Sequence, residues 1–186
     1  MRRSRLIATA AVVGVAGFAA AATAGDHKSE FATDLAGYEE VPAVSTNGNG
    51  QVDVKVARDG QSLQFVLHYR ALESPVTQSH IHFGQKDVNG GIVIFFCSSI
   101  TNQVPPPPAG TPLCPQPAPG ATATVTGTRT AADMFAGATA QGIAPGEFDE
   151  LIRALRAGVA YANVHSMARP GGEIRGQFDR QGHQDD

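Results

Sequence analysis

Residues 51–70 read Q-V-D-V-K-V-A-R-D-G-Q-S-L-Q-F-V-L-H-Y-R. Val52, Val54 and Val56 alternate with Gln51, Asp53 and Lys55. A period of two places the valines on one face of a strand and the polar side chains on the other. Asp59-Gly60 then turns the chain, since Asp-Gly supplies the positive φ that a tight hairpin needs. Leu63, Phe65, Leu67 and Tyr69 repeat the alternation on the way back. This hairpin sets the reading of the rest of the chain as antiparallel β.

Working outward, Phe31 to Leu35 reads as a first strand, and Asn47-Gly48-Asn49-Gly50 as a turn. Gln78 to Phe83 is a strand that carries two histidines. Ile92 to Cys97, apolar on both faces, is a central one. Residues 101–120 are Pro-rich and predict an irregular loop. Ala121 to Thr128 alternates small residues with threonines, and a short helix is expected over Ala131 to Ala136. Phe148, Leu151, Ile152 and Leu155 recur at i, i+3, i+4 and i+7, which predicts a helix over Gly146 to Ala157 ended by Gly158. Two last strands, Val159 to Ser166 and Glu173 to Asp179, flank a turn through Pro170-Gly171-Gly172. About eight short strands with turn signals between them predict an all-β, antiparallel Greek-key β-sandwich or flattened barrel. The single domain is expected to run over 25–180, ahead of a disordered polar tail at 181–186.

The first residues do not belong to that pattern. Arg2, Arg3 and Arg5 precede an Ala-rich apolar run from Leu6 to Ala22, and Ala22-Thr23-Ala24 makes a cleavage site. Residues 1–24 therefore read as a cleavable signal peptide, too short and Ala-rich for a membrane span. The arginine pair is compatible with twin-arginine export, although Arg5 stands where that signal prefers an apolar residue. The protein is expected to be secreted or periplasmic. The whole chain carries a net charge of −3, and loss of three arginines leaves the remainder more acidic. Nucleic acid and anionic membrane surfaces are poor partners for such a chain.

Cys97 and Cys114 are the only cysteines. In an oxidising compartment, with no C-x-x-C spacing, they predict a disulfide around the Pro-rich segment. A loop of this size is stabilised by roughly 3 kcal/mol on the chain-entropy account.

The chemistry-bearing stretch is S-H-I-H-F-G at 79–84. On a strand His80 and His82 share one face, with Ile81 and Phe83 on the other. In the same way Tyr161, Asn163 and His165 share a face, as do Glu173, Arg175 and Gln177. Imidazoles at i and i+2 are spaced to chelate one ion. A third from a neighbouring strand would complete a three-nitrogen set suited to copper or zinc. The alternative is a polar cluster stitching strand edges with no ion. His68 reads as a lone surface residue, and His27 and His183 lie in polar termini. Glu39 and Glu40 are adjacent and would point apart on a strand, which is poor for paired acid–base work. No G-x-S-x-G, H-E-x-x-H or phosphate-cradling glycine loop is present.

Taken in order, F-A-T-D-L-A-G-Y-E-E-V-P at 31–42, S-H-I-H-F-G, Y-A-N-V-H-S at 161–166 and P-G-G-E-I-R-G-Q at 170–177 resemble the CHRD domain. This extracellular module takes its name from chordin. The resemblance implies an immunoglobulin-like or barrel-like β module that binds partners, with no general enzymatic activity. Glu40, Pro42, His80, His82, Asn163, His165, Glu173, Arg175 and Gln177 fall on its motif positions.

A looser resemblance is to the copper half of copper–zinc superoxide dismutase. It would make His80, His82 and His165 copper ligands and Arg175 an anion-guiding arginine. No histidine lies between His82 and His165 to bridge to a second metal, and Asp87 alone does not replace the zinc cluster. Three expectations follow. The first is an exported binding protein holding copper or zinc on His80, His82 and His165, with Asn163 and Glu173 or Gln177 orienting the rings. The second is a protein-interaction module in which the histidines are structural. The third is a dismutase-like redox enzyme.

Overall fold

A computed structural model describes residues 29–179. The leader at 1–24 with its cut near Ala24, His27, and the tail at 181–186 lie outside the described residues. Eight strands form one sheet. They are β1 (Glu30–Ala36), β2 (Asn49–Val56), β3 (Ser62–Arg70), β4 (Val76–Phe83), β5 (Gly91–Ser98), β6 (Thr122–Thr130), β7 (Ala160–Ser166) and β8 (Ile174–Gln177). Their order is β5-β4-β7-β8-β1-β2-β3-β6, and every pairing is antiparallel. The sheet coils into a nearly closed barrel whose end strands are β5 and β6. Arg129 of β6 spans the gap, donating from Nε to the Phe95 carbonyl (2.8 Å) and from Nη2 to that of Phe96 (3.1 Å). Among the described residues, no helix is long and apolar enough to cross a membrane.

The 51–70 alternation maps directly onto β2 and β3. Val52 pairs with Leu67, Val54 with Phe65 and Val56 with Leu63, and all six lie in the core. Element boundaries shift by a residue or two in several places, and three differences have a visible cause or consequence. Asn49 and Gly50 belong to β2, because pairing with Arg70 and Tyr69 extends the ladder past the expected turn. The segment expected as a helix at 131–136 is two 3₁₀ turns, Ala131–Asp133 and Ala136–Gln141. Between them Met134 bridges to Ile94 and the Phe135 amide donates to Val93 O (2.8 Å), so backbone pairing to β5 interrupts the helix. The last strand stops at Gln177.

The helix α1 (Phe148–Arg156) buries Phe148, Leu151, Ile152 and Leu155. Cys97 and Cys114 form the disulfide. It ties β5 to the Pro-rich loop, which the Gln116 side chain also holds by bonding both the N–H and the carbonyl of Val76 (2.8 and 2.9 Å).

Candidate metal centre

The site lies on the outer face of the β4–β7–β8 wall. Ile81, Ala162, Val164 and Ile174 point into the core, so their neighbours along each strand face away from it. Across the ladders His80 lies opposite Asn163, His82 opposite Tyr161 and Gln78 opposite His165. That register puts His165 diagonal to His80, within reach of long side chains. In the β4–β5 ladder two irregularities flank the histidines, between Ser79 and His80 and between Ile81 and His82. Such bulges raise local twist and re-aim side chains.

The three imidazoles are brought together. One ligand atom from each of His80, His82 and His165 lies within 4.8 Å of the others. Ring centroids are 4.6 Å apart for His80 and His82, and 4.7 Å for His80 and His165. The outer face proves dry: His80, His82 and His165 are 0%, 8% and 6% exposed.

His82 Nδ1 lies 2.8 Å from the Gly90 carbonyl, and His165 Nδ1 2.9 Å from that of Pro170. A carbonyl only accepts, so both rings carry their proton on Nδ1 and present a bare Nε2 lone pair. Neither Nε2 has a hydrogen-bond partner, nor does either nitrogen of His80. Burial disfavours the charged form of all three rings, taking His80 well below the ordinary histidine value, His82 to about 4 and His165 downward as well. The cluster is a set of neutral, desolvated nitrogen donors.

Around it the other expected residues take separate tasks. Asn163 is buried opposite His80 across the β4–β7 ladder, and its Oδ1 has no hydrogen-bond partner. Arg175, almost fully buried, donates from Nη1 to Asn89 Oδ1 (3.2 Å) and from Nη2 to the carbonyls of Gln85 (3.3 Å) and Val88 (3.0 Å). Its guanidinium also lies 3.4 Å over the Tyr161 ring, which stacks on His82 at 4.6 Å. Because β7 runs between β4 and β8, Tyr161 separates His82 from Arg175.

Glu173 and Gln177 serve loops. Glu173 Oε1 accepts from the Thr46 hydroxyl and the Glu73 amide, both at 2.8 Å. Gln177 Nε2 donates to the carbonyls of Gly84 (3.0 Å) and Gly158 (2.9 Å). The hydrogen bonds that orient the His82 and His165 rings come from backbone carbonyls. His68, half-buried, pairs with Thr124 Oγ1 at 2.9 Å, away from this cluster.

One residue that the sequence places on the family motif, without a role in the site, stands close to it. Glu40 is buried, and desolvation raises its carboxyl to about 7 against the opposing charge of Arg175. Gly172, at φ +128°, comes so close to this carboxyl that a side chain there would overlap it. The available signal was the place of Glu40 in E-E-V-P. Glu39, its neighbour, is instead exposed and pairs with Lys86 at 3.8 Å.

The motifs at 31–42, 79–84, 161–166 and 170–177 thus fall on strands and loops of one all-β barrel. The chain belongs to the CHRD domain family, whose sequence model matches residues 31–178. No curated protein and no solved structure matches the chain.

Proposed function

We propose that the chain is an exported CHRD-domain protein that holds a copper or zinc ion through His80, His82 and His165. The observation that carries this reading is the set of bare, buried imidazole nitrogens. A buried polar atom without a partner is costly, and four such atoms crowd into one cluster. A single ion would satisfy three of them at once. Metal–nitrogen distances of about 2.0–2.1 Å in a trigonal set need donors roughly 3.5 Å apart. The cluster, with its ligand atoms within 4.8 Å of one another, would need only a small side-chain adjustment to reach that spacing. The Nδ1–carbonyl bonds of His82 and His165 are the outer-shell contacts that fix ligand tautomers.

Arg175 acts here through structure: its donors are spent on the 84–90 loop, which in turn supplies the Gly90 carbonyl to His82. Export through the leader at 1–24 is part of the same reading, supported by the disulfide.

The test is calorimetric titration of the metal-stripped protein with copper(II) and zinc, beside the His80→Ala/His82→Ala variant. Stoichiometric binding that the variant loses is the expected result. Equal, weak binding by both proteins would return the histidines to a structural role, and the module to partner binding alone.

A further inference from the structure

An ion seated among His80, His82 and His165 meets no anionic ligand atom. The cluster contains imidazoles alone. The buried carboxyl of Glu40 lies against Gly172 and is not part of the cluster. Water is remote as well. The rings are at most 8% exposed. Clefts of about 560 and 530 Å³ open along β1 and its neighbours, and none of the three histidines lines either.

The cost of desolvating an ion grows with the square of its charge, so a dication suffers about four times the penalty of a monocation. Zinc in three-histidine sites commonly keeps an open fourth position for water, which this sealed cluster does not offer. Cupric ion favours tetragonal nitrogen and oxygen sets, and three convergent imidazoles on two strands do not form one. A cuprous ion carries one charge, accepts three imidazoles in a trigonal arrangement and requires no water ligand.

We infer that the site selects the cuprous ion over both zinc and the cupric ion. This rests on the three-histidine centre proposed above and adds its charge selectivity.

The metal-stripped chain is titrated anaerobically with copper(I) against a chromogenic cuprous chelator. Ascorbate serves as reductant in place of a thiol, so that the Cys97–Cys114 bond survives. Zinc and copper(II) are measured in parallel competitions without reductant. A copper(I) Kd at least about 100-fold below both others is expected, equivalent to some 2.7 kcal/mol. Zinc or copper(II) binding as tightly as copper(I), or tighter, overturns the selectivity and leaves the metal centre standing. Stoichiometric binding of none of the three overturns the centre itself, and the selectivity with it.

Discussion

Strands β3 and β7 are built by the same rule and end in different surroundings. In β3 the side chains alternate, with Leu63, Phe65, Leu67 and Tyr69 in the core and Gln64 and Arg70 in water. In β7 polar and apolar residues alternate too, yet all seven positions are buried. The difference lies in what covers the outer face. Around β7 Arg175 ties the 84–90 loop, Asn89 ties that loop to Val41 of the 37–44 segment, and the turn before Gly172 abuts Glu40. Alternation therefore reports which way a side chain points. Whether that direction is wet depends on loops far away in sequence.

The sharpest way to break this contrast is to remove the clamp on the cover. Arg175→Met keeps much of the bulk but removes a buried guanidinium and its bonds to three acceptors on the 84–90 loop. Removing one partner of a buried charged network costs about 3–5 kcal/mol, read as a lower urea midpoint. Arg70→Met on β3 is the control. Its exposed side chain makes one bond to Asn49 Oδ1, so a change within about 0.5 kcal/mol is expected. Equal effects at the two arginines would show that the cover contributes nothing.

Next comes the staple at the end of β5. Cys97→Ala/Cys114→Ala opens a loop of sequence separation 17, and a loss of roughly 3 kcal/mol is expected. Copper or zinc binding should persist, because the disulfide joins β5 to the Pro-rich loop and touches no ring of the histidine cluster. Loss of metal binding at full folding would tie the staple to the site.

Protonation gives a third handle. His80, His82 and His165 resist protonation when folded and accept it when unfolded. Stability is therefore full above about pH 6.5 and falls as the pH drops toward the His82 value of about 4. Glu40 works in the opposite sense. Its folded value of about 7 lies above the ordinary 4.5, so it gains stability as pH falls across that window. Three protons against one leave a net slope of up to two, about 2.7 kcal/mol per pH unit. Glu40→Gln removes the counterweight and should steepen the slope in a series of urea midpoints between pH 6.5 and 4.5. An unchanged slope would show that Glu40 does not titrate there.

The two halves of the barrel were not equally legible. The β2–β3 hairpin could be read to the register, since both the period and the Asp59-Gly60 turn are local signals. The H-x-H spacing and His165 also sufficed to name the cluster. What the sequence concealed were the partners that make the cluster dry and oriented. The Gly90 and Pro170 carbonyls have no side-chain signature, and Glu40 approaches through a long-range contact with Gly172. Glu173 and Gln177 sit on the motif and were expected at the rings. Their hydrogen bonds instead run to Thr46, Glu73, Gly84 and Gly158, positions that only the folded chain brings near.

The smallest expected effect belongs to the one described histidine outside the cluster. His68 lies on β3, opposite Thr124 of β6, and its Nδ1 bonds the threonine hydroxyl at 2.9 Å. It shares the residue type of His80 but not the cover, because β3 presents its polar side to solvent. Cross-strand pairs on such a face contribute a few tenths of a kcal/mol to about one. The bond to Thr124 remains in competition with water, so His68→Gln should change stability by less than about 0.5 kcal/mol in urea unfolding. Metal stoichiometry should stay unchanged. A His68→Gln protein that lost its metal would place the ion on the open face of the barrel and sever the link between dryness and binding. A variant that keeps its metal, beside a His80→Ala/His82→Ala protein that does not, ties binding to the buried wall.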